Sequence, residues 1–206
     1  MERWAFLLVL LFTASLVLSV LISRPWPEEE VVVVVDAGHG GHDSGASVAG
    51  VREKDLNLAL ALLVQEKARG KGLRVILTRT TDTYVELVER VRLAERAGAV
   101  LYVSIHANYH RDPRVCGVET WVDTNASPES VRLAESLQRA VVWATGAKDR
   151  GVQRQTLYLR HTTLPAALVE VGYLSCPAER EKLQDPAYQD RIAEGIVQGI
   201  LDYLGR

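Results

Sequence analysis

Val31 to Glu53 reads VVVVVDAGHGGHDSGASVAGVRE, and its two halves make opposite demands on the backbone. Five consecutive valines are stiff, β-branched and without a polar side, which predicts a strand covered on both faces in a parallel or mixed sheet. The run breaks at Asp36-Ala37-Gly38-His39-Gly40-Gly41. Three glycines around one histidine let the chain turn sharply and let other groups approach the imidazole closely. Glu53 follows where the next helix should start. A neutral imidazole at a strand end and a carboxylate at a helix start are two ligands of the kind Zn²⁺ accepts. Taken alone, the stretch is better served by a plainer reading, a glycine-rich turn with a solvated His and a helix-capping Glu.

Two further runs change that balance. Val100-Leu101-Tyr102-Val103-Ser104-Ile105 is apolar and strand-like, and it stops at His106-Ala107-Asn108; Ala166-Ala167-Leu168-Val169 stops at Glu170-Val171-Gly172. In open α/β sheets the groups just beyond the carboxyl ends of strands line one crevice, so residues far apart in sequence converge there. His39, Glu53 and His106 then form a candidate ligand set. Two His and one carboxylate leave a tetrahedral zinc one open position for water, the catalytic arrangement, with Glu170 as the base.

The rest of the chain supports such a sheet. Helical spacing of apolar residues marks Lys54 to Arg69, Val85 to Ala94, Pro128 to Trp143, Ala178 to Leu183 and Tyr188 to Tyr203, while Leu73 to Leu77, Gly117 to Val122, Leu157 to Leu159 and Ala166 to Val169 read as strands. The alternation predicts an α/β fold: a single three-layer domain with a twisted, mostly parallel or mixed sheet and helices on both faces.

At this level the residues carry a resemblance. DAGHGGHDSGA, REKDLNLAL, LTRTTD, SIHAN, GVET, DRGV and PAALVEVGYLS, in that order over almost everything after residue 30, resemble the zinc-dependent N-acetylmuramoyl-L-alanine amidases of the type-3 cell-wall amidase family. The chain departs from the family's usual pattern at Cys176, often Asn, and at Ala37, often Pro; neither position is a candidate ligand. The resemblance implies His39, Glu53 and His106 as ligands of one zinc, Glu170 as the catalytic glutamate, and peptidoglycan as substrate, cleaved between the lactyl group of N-acetylmuramic acid and L-alanine. A zinc site by itself would suit a peptidase or deacylase of another amide equally well. A metal-dead wall-binding protein is disfavoured, because all three candidate ligands and Glu170 are present. A short single domain resembles the spore-cortex (sporulation) amidases as much as the cell-separation ones, and an activator protein is open.

Charge excludes one class of partner. With Glu2, Arg3, Arg24 and Glu28 to Glu30 set aside, residues 31–206 hold 22 basic and 22 acidic residues, so there is no global basic field for nucleic acid or another anionic polymer. Binding of an anionic substrate must be local: Arg150 is a candidate bidentate donor to a substrate carboxylate, with Asn108 a second candidate contact. Trp4 to Ile22 is a 19-residue stretch without a charge, close to the roughly 20 residues a bilayer-spanning helix needs. It lacks a small-x-small cleavage site, so residues 1–23 read as an uncleaved signal anchor, with a cleaved signal peptide as the competitor. Residues 24–30 read as a juxtamembrane linker and 31–206 as an extracytoplasmic zinc amidase domain in a bacterial envelope. The sequence predicts Asp36 to orient His39 or its loop, Arg79 to pair with Asp82, and His42, His110 and His161 to be solvated or peripheral. Cys116 and Cys176 are either free and buried or a disulfide, which an extracytoplasmic setting permits.

Overall fold

The structure is a computed structural model that describes residues 30–206. The valine run and the two residues after it form β1 (Val31–Ala37), followed by a hairpin of two very short strands, β2 (Ser47–Val48) and β3 (Val51–Arg52). The chain continues through α1 (Glu53–Lys67), β4 (Leu73–Leu77), α2 (Leu87–Arg96), β5 (Tyr102–Asn108), β6 (Val118–Asp123) and α3 (Pro128–Thr145). It closes with β7 (Asp149–Gln155), a 3-10 helix (Tyr158–His161), β8 (Ala166–Tyr173), α4 (Pro177–Gln184) and α5 (Pro186–Leu204).

The six long strands form one sheet in the order β4-β1-β5-β8-β6-β7. β4, β1, β5 and β8 are parallel; β6 is antiparallel to β8, and β7 is parallel to β6. The sheet is therefore mixed and mostly parallel, as expected. Both faces of β1 are covered, which explains why it has no polar side. Val33, Val35, Val103, Ile105, Val169 and Val171 pack beneath α1, α3 and α5. Val34, Tyr102, Ala166 and Leu168 face α2 and the 3-10 helix, through Val91, Ala94 and Leu159. Helix ends follow from local chemistry: the Ser127 side chain accepts from the Ser130 amide ahead of Pro128, and Gly146 closes α3 in a left-handed conformation.

Two sequence expectations require correction. Leu157 to Leu159 is not a strand; it leads into the 3-10 helix, whose Leu159 fills the second core cluster. The strand in this region is β7, whose sequence DRGVQRQ carries one apolar residue because it lies at the sheet edge. In addition, β5 and β8 extend beyond the predicted ends, so His106 and Glu170 lie within strands and Asn108 closes β5. The signal-anchor expectation lies outside the described residues. No helix among the described residues is long and apolar enough to cross a membrane.

Candidate metal centre and active site

His39 sits one residue past Gly38 with φ 61°, a left-handed backbone that is uncommon for a side chain larger than Gly and concentrated at functional sites. Two buried arginines hold the loop in that conformation. Arg90 donates to the carbonyls of Ala37 (2.8 Å) and His39 (2.8 Å), and Arg79 donates to those of Ala37 (2.9 Å), Gly38 (3.0 Å) and Lys54 (2.8 Å). Arg79 thus serves backbone oxygens. The expected partner Asp82 is taken by Lys54 at 2.7 Å. Asp36 acts one step behind the loop: fully buried, it accepts from Arg90 (2.9 Å), Thr78 (2.5 Å), Ser104 (2.7 Å) and Tyr158 (3.0 Å). Burial pushes its carboxyl up, but the Arg90 charge and the two hydroxyl donors more than reverse this, leaving it below the usual range and ionised.

Asp43 is the group that touches His39. Its Oδ2 lies 2.8 Å from His39 Nδ1, which leaves Nε2 directed at Glu53 Oε1, 3.1 Å away. Sequence reasoning passed over Asp43. The signal that could have found it is its position four residues after a candidate ligand in a tight loop, since ligating histidines commonly give their second nitrogen to a carboxylate. Glu53 opens α1 and is almost fully buried. Its Oε1 lies 2.8 Å from His106 Nδ1 and accepts from the Ala107 amide (3.2 Å), and Oε2 accepts from the Ala46 amide (2.8 Å). Burial alone would raise this carboxyl, but hydrogen bonds from His106 and His39 and their charge hold it far below its ordinary value. His39 shows the reverse: burial lowers its pKa, and the Glu53 contact followed by Asp43 raises it overall. His106 packs against Gly38 so closely that a Cβ there would overlap its ring.

One ligand atom from each of His39, Glu53 and His106 lies within 4.8 Å of the others. Ligands about 2.0–2.2 Å from a tetrahedral Zn²⁺ stand roughly 3.3 Å apart, so the 2.8 and 3.1 Å contacts need to open only slightly. The donor set, two imidazoles and one ionised carboxylate, fits the metal the sequence predicts. The other cluster of potential ligands among the described residues, Cys116, Cys176 and Glu179, is different: the two cysteines form a disulfide with Cα atoms 5.6 Å apart, and the Glu179 carboxylate accepts from the Tyr173 amide. Of the remaining histidines, His42 stacks on Tyr84, 4.2 Å between ring centroids, and His110 and His161 are exposed.

Glu170 stands beside the cluster. It is in register with His106 across β5–β8 and with Glu119 across β8–β6, so His106, Glu170 and Glu119 form one row on one face of the sheet. Its Oε2 is shut off from solvent and has no hydrogen-bond partner among the described residues. Burial, then the charges of Glu53 and Glu119, push its pKa well above the usual carboxylate range. A half-buried carboxyl with one sealed, unpartnered oxygen and a raised proton affinity suits a general acid–base role. Asn108 and Arg150 meet at Glu119: Asn108 donates to its Oε1 (2.8 Å) and Arg150 Nε to its Oε2 (2.8 Å). Glu119 also accepts from Tyr173 (2.8 Å) and Trp121 (3.1 Å). Sequence reasoning did not single it out, although a carboxylate within the strand GVETWV was a signal that something must satisfy it.

Residues 33–202 match the family model described as N-acetylmuramoyl-L-alanine amidase. The chain is 36% identical over 173 residues to the N-acetylmuramoyl-L-alanine amidase LytC of Bacillus subtilis, covering 83% of this chain and 35% of that one. Among solved structures it superposes on the catalytic domain of the amidase CwlV from Bacillus (Paenibacillus) polymyxa with a TM-score of 0.80 at 42% identity, over 85% of this chain and 98% of the other. It also superposes on the CwlD amidase of Clostridioides difficile, determined in complex with the GerS lipoprotein, with a TM-score of 0.78 at 30% identity, over 85% and 99% of the two chains.

Proposed function

The chain belongs to the N-acetylmuramoyl-L-alanine amidase family, and on that premise we propose that it is a zinc-dependent hydrolase of the amide between the lactyl group of N-acetylmuramic acid and the L-alanine of the peptidoglycan stem peptide. The observation that carries the reading is a two-histidine, one-carboxylate cluster with a glutamate one strand away whose Oε2 is sealed from solvent and unpartnered. His39, Glu53 and His106 would hold the metal. Zn²⁺ bound there supplies a Lewis acid for the carbonyl oxygen and makes water a competent nucleophile near neutral pH. Asp43 fixes the His39 ring through Nδ1, so Nε2 would be the nitrogen available as a ligand. Glu170 takes the proton of the attacking water and returns it to the leaving amine, and the proton affinity that burial and its acidic neighbours give it suits both transfers. Asn108 on β5, beside the strand of Glu170, and Arg150 on β7, two strands from it, would contact the substrate.

The setting we propose is the cell envelope, with residues 1–23 as the anchor and the catalytic domain extracytoplasmic, in keeping with cell-wall relatives. CwlD was determined with a lipoprotein partner; for this chain an activator is a proposal of the same kind, as is a spore-cortex rather than a cell-separation role. The test is digestion of purified peptidoglycan and mass spectrometry of the new termini. Free L-alanine amino ends on released stem peptides are expected, and cleavage at any other amide would assign the site to a peptidase or deacylase. Glu170→Gln on the same preparation should keep one zinc per chain while turnover falls by roughly 10²–10⁴, the usual range for a lost acid–base group. Near-normal turnover at normal zinc content would remove Glu170 from the mechanism.

A further inference from the structure

The Glu119 cluster is more elaborate than a structural ion pair requires. Its side chain is 3% exposed, and it draws donors from four strands: Asn108 of β5, Trp121 of β6, Tyr173 of β8 and Arg150 of β7. Three of these donors converge on Oε1, and Oε2 takes the Arg150 Nε–H alone. The pair is therefore not the bidentate fork in which an arginine spends both terminal nitrogens on one carboxylate. The Arg150 guanidinium is fixed twice more. It lies over the Tyr173 ring, 5.3 Å from the centroid, and its stem crosses Gly117, where a Cβ would come within 2.8 Å of Arg150 Cγ. Among the described residues neither Nη atom makes a hydrogen bond, although the side chain is only 31% exposed. An arginine immobilised by its inner nitrogen and its flat face, with its outer edge unspent, is prepared for a planar anionic ligand.

Position decides which ligand. The irregularity in the β6–β7 register, between Val118↔Asp149 and Thr120↔Val152, leaves Arg150 and Gly151 together across from Glu119, and the 2.8 Å ion pair brings the Arg150 side chain to it. The row across the sheet is thus His106, Glu170, Glu119, Arg150. Strands are about 4.8 Å apart, so Arg150 stands roughly 10 Å along the sheet from the proposed base. An extended peptide advances about 3.3–3.6 Å per residue, which places its first few residues beyond a bond cleaved at Glu170 within reach of the Arg150 side chain. The ionised Glu53 and Glu119 would otherwise repel an acidic peptide here, and Arg150 is the cation in the row.

We propose that Glu119 builds a carboxylate-recognition subsite, in which it acts as a positioning residue and Arg150 binds a free carboxylate in the first residues of the leaving peptide. This rests on the amidase reading. Arg150 then discriminates between stem peptides that carry a free carboxylate and those in which the same group is a carboxamide, because a neutral amide cannot accept two charge-assisted hydrogen bonds from one guanidinium edge.

The test uses two muramoyl tripeptides, alike except that the second stem residue carries a free carboxylate in one and a primary carboxamide in the other. The full chain should prefer the carboxylate form by at least about tenfold in kcat/KM, mainly through KM. Arg150→Gln should bring the ratio close to one, and Arg150→Lys should recover part of it, since lysine keeps the charge but loses the fork. Glu119→Gln should also shrink the ratio, by releasing Arg150. If Glu119 merely supports the fold or acts on Glu170, its substitution will slow both substrates alike and leave the ratio intact, which overturns the positioning role. A wild-type ratio near one, or a ratio that survives Arg150→Gln, overturns the subsite. Failure of the wild-type chain to cleave either tripeptide at the muramoyl–alanine bond would refute the amidase reading instead. Zinc content and melting temperature, read on every variant, separate a misfolded protein from a negative result.

Discussion

At the scale of single residues, the site combines groups whose protonation is driven in opposite directions by their surroundings. Asp43 accounts for the orientation of His39, and ligand-orienting carboxylates typically contribute 10–100-fold to metal affinity. Asp43→Ala is expected to weaken zinc binding by roughly that factor with the circular dichroism spectrum unchanged; equal affinities in a competition titration would show that the 2.8 Å contact orients nothing. Glu170 makes a different prediction, for the metal-free protein. Its folded pKa lies above the unfolded value, so its stabilising contribution is complete below the unfolded pKa of about 4.3 and is lost as pH rises through the folded pKa. At neutral pH it therefore weakens the fold, and Glu170→Gln should stabilise the apo-protein by an amount of order 1 kcal/mol. The gain should vanish as the pH approaches 4. Thermal melts of metal-free wild type and variant across pH 4 to 8 check this, and a variant less stable at pH 8 than wild type would contradict the burial argument.

At the scale of elements, much of what periodicity and capping govern was legible in the sequence. α1, α3 and α5 bury one face and so carry helical spacing, and β1 reads as a covered strand because both its faces are covered. β7 was missed for the same physical reason in reverse: an edge strand with part-exposed faces has no need of apolar alternation, whereas the apolar Leu157 and Leu159 belong to a covering turn. His39, Glu53 and His106 could be brought together because each stands at an element boundary, where backbone geometry is predictable. Asp43 and Glu119 escaped because a partner's identity depends on side-chain direction, which spacing alone does not supply. The cysteines were also undecided, since a bridge requires Cα atoms within about 7 Å. That bridge ties the loop after β5 to the start of α4 across 60 residues. Closing a loop of that size confines the unfolded chain by up to about 4 kcal/mol, and measured values are commonly 2–4 kcal/mol. Cys116→Ser with Cys176→Ser should therefore lower the melting temperature by roughly 5–15 °C. A reductant should lower the wild type equally and leave the double variant unmoved. Coincident melts of oxidised and reduced wild type would mean that the bridge constrains little.

At the scale of the whole molecule, the open question is how an uncharged 19-residue segment relates to a folded unit that begins at Val31. Val31 is paired with Leu73 at the start of β1, and the site lies at the other end of the same strand, beyond Ala37. Seven residues of a strand separate them, about 23 Å at 3.3 Å per residue. The sheet and the site described above are built entirely from residues of the unit Val31–Arg206. Two consequences follow for the anchor proposal. Residues 31–206 alone should fold, bind zinc as the full chain does and cleave soluble muropeptides with kcat/KM within about twofold. The full chain should partition with membranes, and amino-terminal sequencing of the membrane fraction should find a chain that still includes Trp4, because Ser19-Val20-Leu21-Ile22-Ser23 offers no small-x-small cleavage site. A soluble extracellular species beginning after Ser23 would identify the segment as a cleaved signal peptide. Loss of zinc affinity in residues 31–206 would show instead that the amino-terminal segment supports the catalytic unit, against the separation that β1 imposes between its first residue and the site.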